Sequence, residues 1–473
     1  MTLRKRILFH TITFILIGHL HAFQNFTGHK LLGMVPRNSD EVETLRYYME
    51  DPEFDFWTEP VRVMENVTLH VSGSTAEQFE GTLRRKGMPF YTITDNLQSW
   101  IEREREENYP GTHLEGRTAG FAFDVYHPLD EIIAYLDDTS RKYPNLTKLM
   151  NMGDTYEGNI IYLLKISSGG NDTRPAVWVD AGIHSREWVA PATALFMINH
   201  LLLNYGTDPE VTKLVDTHDW YILPLVNPDG YLHTWDWNRL WRKNRAVAPS
   251  FPGVLLCRGT DPNRNFDIFF GGPSTSSTPC SQIFKGDHPF SEAESSAIRD
   301  GVMSIRHRLR AYFTLHSFSQ LWMTPHGYTT MQAPDFEEHM ELLKIAAKAV
   351  EKTHGVSYRY GPSARTLYAT SGSASDWVYD VAGVRHSFIV ELRDRGVYGF
   401  LLPRSEILPT SEETWAGITS IVSHLYNKDP DKVYTSTSTS SSTSTTTTST
   451  VKATKETTTK KSTSTSTMSS TTA

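Results

Sequence analysis

Between residues 118 and 427 short apolar runs recur, each separated from the next by stretches with helical spacing, and this alternation leaves the chain few folds to choose from. Ala176-Val177-Trp178-Val179 is followed by an apolar-rich segment from Trp188 to Tyr205 that reads as a helix. Trp220-Tyr221-Ile222-Leu223-Pro224-Leu225-Val226 closes on the turn signal Asn227-Pro228-Asp229-Gly230. Leu309 to Leu315 and Ser387-Phe388-Ile389-Val390 repeat the pattern. Strands separated by helices imply a sheet with parallel character, covered on both faces. The expected fold class is α/β: a three-layer α/β/α domain with a mixed, largely parallel sheet over 118–427. Pro224 has no N–H to give to a ladder, so the end of its strand is expected at an edge or a bulge.

In such sheets ligands bind outside the carboxyl ends of the strands. His184, within His184-Ser185-Arg186-Glu187, follows the first run; His316 ends the third and Glu391 the fourth. Two imidazoles and one carboxylate suit a catalytic Zn²⁺, which keeps a fourth position for water. A further Glu that is not a ligand is what such a metal needs to move protons from that water. With 19 histidines in the chain, about one His-x-x-Glu match arises by chance. The weight therefore rests on three distant segments ending at the same side of one sheet, with one zinc ion per chain.

The two ends of the chain read differently. Arg4-Lys5-Arg6, the apolar stretch Ile7 to Leu20 and the small residue Ala22 form a signal peptide over 1–22, so the protein is expected to be secreted and extracellular. His10 and Thr11 interrupt that stretch, which is short for a bilayer span, and no later segment suits one. N-x-S/T sequons stand at Asn25, Asn66, Asn145 and Asn171. In an oxidising compartment the two cysteines, Cys257 and Cys280, are expected to form one disulfide worth ~3 kcal/mol, with two free thiols as the alternative. Residues 432–473 are almost entirely Ser and Thr with a few lysines, too poor in apolar surface to fold. A mucin-like O-glycosylated stalk and an unmodified disordered tail both fit that composition. A formal net charge of -8 supplies no basic field for nucleic acid.

Residues 23–117 read as a small separate α+β domain. Ser39 is expected to cap a helix with Val42, Leu45 and Met49 on one face. Val67-Thr68-Leu69-His70-Val71 alternates like a half-buried strand. Ser74-Thr75-Ala76-Glu77 is a capping box ahead of Phe79 and Leu83, and Gly87 ends that segment. The charged stretch Ile101 to Glu107 leads into Tyr109-Pro110-Gly111 and Leu114-Glu115-Gly116-Arg117. Such a junction is protease-sensitive, or an ordinary interdomain linker.

Asp180-Ala181-Gly182-Ile183-His184-Ser185-Arg186-Glu187-Trp188 resembles the zinc signature of the carboxypeptidase A/B-type metallocarboxypeptidases, whose zinc is held by two histidines and a glutamate. The likeness continues through Trp241-Arg242-Lys243, Asp261-Pro262-Asn263-Arg264-Asn265, Leu315-His316-Ser317, Leu367-Tyr368 and Val390-Glu391-Leu392-Arg393-Asp394. Residues 23–117, notably Asp55-Phe56-Trp57 and Ile93 to Gln98, resemble the family's activation segment. The resemblance implies zinc held by His184, Glu187 and His316, with Glu391 as general base and Arg242 stabilising the oxyanion. It implies Asn263 and Arg264 on the substrate's terminal carboxylate, Tyr368 closing over the bound end, Arg186 touching substrate further away, and Asp261 orienting His184. Cys257 and Cys280 match the family disulfide.

In this resemblance Ser375 matches the pocket-floor position where B-type enzymes carry an acid and A-type enzymes an aliphatic residue, and Asp376 matches an acid common to both. With Gly327, Leu367, Thr370 and Ile389 at other pocket positions, neutral apolar or aromatic C-terminal residues are expected, because a buried Lys or Arg would lack a counter-charge. The implied protein is a secreted zymogen that removes C-terminal residues from peptides and proteins after an activating protease cuts near Arg117. B-type specificity for Lys or Arg, and a non-catalytic glycoprotein that binds peptide ends, are the competing readings. Every matched catalytic and ligand position is filled, which weighs against the last.

Overall fold

The computed structural model describes residues 23–429 apart from 50, 52, 109–119, 170–172 and 248–256. The leader at 1–22, Asn171, the junction at Arg117 and the Ser/Thr tail lie outside the described residues.

The first unit is an antiparallel sheet of β1 (Lys30–Met34), β2 (Phe54–Phe56), β3 (Val67–Val71) and β4 (Phe90–Thr94) in the order β2-β3-β1-β4. The helices Ser39–Arg46 and Gly73–Arg85 cover one face, packing Leu45, Phe79 and Leu83 on Leu32, Val67 and Leu69. The two caps lie one and two residues before the expected ones. Asn38, not Ser39, accepts from the Glu41 N–H at 2.9 Å, and Ser72 stands ahead of the second helix with its hydroxyl on Thr75 at 3.0 Å. All five residues of β3 are buried, where alternation predicted half. The reason is tertiary: the second face of this sheet docks on the larger domain, where Leu31 and Trp57 share a cluster with Leu240, Phe318 and Phe400.

The larger domain is built on eight strands: β5 (Thr147–Asp154), β6 (Ile160–Ile166), β7 (Ala176–Ala181), β8 (Asp219–Leu223), β9 (Leu309–His316), β10 (Leu321–Thr324), β11 (Arg359–Pro362) and β12 (Ser387–Glu391). Their order is β11-β10-β12-β9-β7-β8-β6-β5. The central β12-β9-β7-β8 block is parallel, while β10 runs antiparallel to β12 and β6 antiparallel to β8. Side chains of one strand part to two cores: Val177 and Val179 meet the helices Val189–Asn204 and Ile407–Lys428, whereas Ala176 and Trp178 meet the helix Ala293–Ile305. This is the α/β/α sandwich with a mixed sheet that the alternating runs predict. At ~1.5–3 kcal/mol for each buried Val, Leu or Ile, the two cores hold the strand ends in place.

Of the edge or bulge expected at Pro224, the edge is not found. β8 lies inside the sheet, between β7 and β6, not at an edge. Its regular ladder stops at Leu223, and the Val226 N–H rejoins Ala181 O at 2.9 Å. Pro224 thus falls where no N–H is required.

Candidate metal centre and active site

The parallel register brings the carboxyl ends together. Glu391, the last residue of β12, pairs with His316, the last of β9, and Leu315 pairs with Ala181 at the end of β7. After Ala181 the chain turns sharply at Gly182 (φ 67°), where a Cβ would stand 2.7 Å from Leu225 Cδ1. That turn carries His184 and Glu187 back over the strand ends.

His184 Nδ1 lies 2.8 Å from Glu187 Oε1, His316 Nδ1 lies 3.1 Å from Glu187 Oε2, and the two Nδ1 atoms are 3.2 Å apart. All three residues are buried, and their donor atoms lie within 4.8 Å of one another. Tetrahedral ligands at 2.0–2.1 Å from zinc stand about 3.3 Å apart, so this donor set fits the ion. Burial opposes charge on Glu187, but His184 and then His316 hold its carboxyl well below the usual range.

Asp261 ties several parts of the site together. Its Oδ1 meets His184 Nε2 at 3.2 Å and accepts from the Asn263 N–H at 2.9 Å; its Oδ2 accepts from Arg242 Nε and Nη2 at 3.1 and 2.9 Å. One carboxylate therefore orients a metal-ligand imidazole, fixes the guanidinium of Arg242 and starts the turn Pro262–Arg264. Burial disfavours the Arg242 charge, but Asp261 and Glu187 hold its pKa above the usual arginine value. Arg264 is buried, with Nε on Ser274 O at 2.7 Å, and Asn263 Oδ1 accepts from the Ala374 N–H at 2.9 Å. Gly372 (φ 69°) passes so close to Arg264 that a Cβ would lie 2.3 Å from its carbonyl oxygen.

The cleft over these groups is lined by His184, Glu187, Arg242, Asn263, Arg264, His316 and Glu391, together with Gly327, Leu367, Tyr368, Thr370, Ser375 and Ile389. Of the residues named for the site from the sequence, Arg186, Asp261 and Asp376 do not line it. Burial, reinforced by Glu187 against the pull of His316, pushes Glu391 up to about 8. An acid poised near neutrality is suited to taking and returning a proton. Asp376, beside Ser375, already accepts from the Gly327 N–H at 2.9 and 3.0 Å and from the Tyr328 N–H at 3.2 Å. Cys257 and Cys280 are joined in a disulfide.

Arg186 is occupied by the small unit. Its Nη1 donates to Asp55 Oδ2 at 2.7 Å, and its guanidinium lies 4.1 Å from the Phe400 ring centroid. Trp57 and Thr58 line the same cleft, and Glu59 reaches to 3.9 Å from Arg264 while accepting from Ser274 Oγ at 2.9 Å. Glu104, on the helix Leu97–Asn108, accepts from Arg239 Nε and Nη2 at 2.5 and 2.8 Å, and both residues are buried. Sequence reasoning missed Glu59 and Glu104, since a lone acid in a charged segment looks like a solvated one. It also missed Thr314, 3.3 Å from His316 Nε2; the signal there was its place two residues before His316 on one strand face.

The family model for zinc carboxypeptidases matches residues 132–417, and that for the carboxypeptidase activation peptide matches residues 33–104. The chain is 40% identical over 412 residues to carboxypeptidase A2 of Rattus norvegicus, covering 87% of this chain and 97% of that one. It is 37% identical over 415 residues to carboxypeptidase A1 of Bos taurus, again covering 87% and 97%. Its fold is similar to crystal structures of thrombin activatable fibrinolysis inhibitor (TM-score 0.77, 32% identity, 85% of this chain and 100% of that one) and of carboxypeptidase A from Helicoverpa armigera (TM-score 0.78, 29% identity, 85% and 99%). With a His-Glu-His donor set of zinc dimensions at the sheet's carboxyl end, and with both family models matched in order, the chain belongs to the zinc carboxypeptidases and carries their activation peptide.

Proposed function

We propose that this enzyme is a secreted zymogen that removes neutral apolar or aromatic residues from peptide C-termini. The supporting observation is the placement of Arg264 and Asn263 in one cleft with the metal-ligand set and Glu391. A planar guanidinium can grip a free carboxylate with two hydrogen bonds, and only a chain terminus offers that anion next to a scissile bond. In this reading Arg264 and Asn263 hold the terminal carboxylate, Tyr368 closes over it, and Arg186 contacts substrate further upstream.

His184, Glu187 and His316 hold zinc, which when bound polarises the scissile carbonyl and acidifies water. Glu391 takes the proton from the attacking water at its carboxylate and returns it to the leaving amine. Arg242, fixed by Asp261, offers a positive donor to the oxygen that gains charge, an interaction worth roughly 3 kcal/mol in comparable sites. Ser375 gives the pocket no counter-charge, and the oxygens of Asp376 are spent on backbone N–H groups. A buried Lys or Arg side chain would thus be left unpaired.

The activation segment over 23–117 supplies carboxylates to the enzyme's own cations: Asp55 to Arg186, Glu59 near Arg264 and Glu104 to Arg239. It fills the cleft as a substrate's anionic end would. Cleavage near Arg117 by a separate protease frees the 118–427 domain. The leader over 1–22 directs secretion, the sequons carry glycans, and a Ser/Thr-rich segment spans 432–473. Among the described residues no helix is long and apolar enough to cross a membrane.

The deciding experiment assays the purified chain, before and after limited proteolysis, on matched peptides ending in Phe, Leu, Lys or Arg, with and without a chelator. Release of Phe and Leu only after cleavage, lost with the chelator, is the expected result. Preferred release of Lys or Arg overturns the pocket reading, and equal activity before cleavage overturns the zymogen reading.

A further inference from the structure

Each metal-ligand histidine has a second ring nitrogen that must also be held. For His184 the partner is direct: Nε2 meets Asp261 Oδ1 at 3.2 Å. For His316, at the end of β9, Nε2 meets only a hydroxyl, Thr314 Oγ1 at 3.3 Å. Residues two apart on a strand share a face, and Thr314 pairs in register with Asp180 of the adjacent parallel strand β7. Asp180 is fully buried. Its Oδ2 accepts from Trp178 Nε1 at 2.8 Å; Oδ1 makes no well-formed hydrogen bond among the described residues, and the hydroxyls of Thr314 and Tyr312 both bear on the carboxyl. An ionisable group with no exposure and an unsatisfied oxygen is costly unless it serves a neighbour.

The tautomer gives the chain of bonds a direction. With Nδ1 of His316 turned to the metal position, its proton must sit on Nε2, which donates to Thr314 Oγ1. The hydroxyl then has one proton to give, and Asp180 lies on the strand position opposite. We propose that Asp180 is a positioning residue for the metal ligand His316, acting through the Thr314 hydroxyl as Asp261 acts directly on His184. The proposal rests on the metal reading given above. It makes the two imidazoles equivalent in kind: each is backed by a buried carboxylate, one at first hand and one through a single hydroxyl.

The test measures zinc affinity of the full chain by competition with a chromophoric chelator, for the wild type and for Thr314→Val, Thr314→Ser and Asp180→Asn. Thr314→Val and Asp180→Asn are expected to bind zinc about 10–100-fold more weakly, while Thr314→Ser stays within about threefold of the wild type. Cobalt(II)-loaded samples should show a shifted visible spectrum in the two weakened variants and not in Thr314→Ser. Should Asp180→Asn fail to fold, the Thr314 pair carries the test alone. Wild-type affinity in a natively folded Asp180→Asn or Thr314→Val chain overturns the inference, as does an equal loss in the Val and Ser variants at 314, which would indicate packing in place of a hydrogen bond. A wild-type chain that binds no zinc sinks the metal reading itself, a result distinct from either.

Discussion

Replacing Asp55 by Asn tests how the activation segment is held. Asp55 Oδ2 stands 2.7 Å from Arg186 Nη1, with side-chain exposures of 11% and 2%. Burial would raise the Asp55 carboxyl, yet Arg186 and then His70 hold it well below the usual range, so the docked pair is ionised. Asn keeps the shape and removes the charge. Arg186 would then remain buried over the Phe400 ring without its carboxylate, whereas in the undocked state it is solvated. Deleting one member of a buried ion pair costs about 3–5 kcal/mol. Since about 1.4 kcal/mol is tenfold, the undocked fraction should rise on the order of 10²–10³-fold, the contacts of Glu59 and Glu104 remaining intact. The readout is hydrolysis of a peptide ending in Phe by the uncleaved chain, normalised to the same preparation after limited proteolysis. An uncleaved D55N chain within about threefold of wild-type latency would refute the reasoning, because the buried pair would then contribute nothing to docking.

Glu391→Gln should lower kcat by roughly 10²–10⁴-fold with little change in KM, as steady-state kinetics on the processed enzyme will show. Cys257→Ser opens a loop with a sequence separation of 23 and should cost roughly 3 kcal/mol in chemical denaturation, with zinc content unchanged. His29 lies 2.9 Å from His70, which backs Asp55, and burial followed by the His70 charge lowers its pKa. A lowered imidazole favours the neutral folded form, so its contribution is complete above the ordinary value of 6.5 and is lost as pH falls below it. Thermal unfolding of the uncleaved chain should therefore decline in midpoint from pH 7 to 5, and His29→Gln should flatten that decline; superimposable curves would count against it.

Much of the site was legible because it depends on short-range order. His184 and Glu187 lie three residues apart after one strand, and His316 and Glu391 are the last residues of two others, so the alternation of apolar runs placed them at one end of a sheet. The disulfide followed from a count of two cysteines. The α/β/α layers followed from run length and spacing. Where the sequence misled, local pattern competed with a distant surface: β3 alternates like a half-exposed strand, yet its second face is covered by the larger domain. Pro224 was expected to end its strand at an edge or a bulge; β8 stops one residue before it, inside the sheet.

The residue types and their intervals were enough to point to a zinc-dependent hydrolase, because ligand identity and strand endings are carried on contiguous segments; the exopeptidase reading came from the resemblance of those segments to a known family. Which further acids are brought against the domain's cations and hydroxyls was decided only by the fold. Asp55, Glu59, Glu104 and Asp180 are indistinguishable in sequence from solvated carboxylates, and they differ in burial and in the cation or hydroxyl brought against them. Both are products of strand register and domain docking between segments as far apart as Glu59 and Arg264 or Glu104 and Arg239. A charge acquires its role from what excludes water around it, and that is a property of the packed chain.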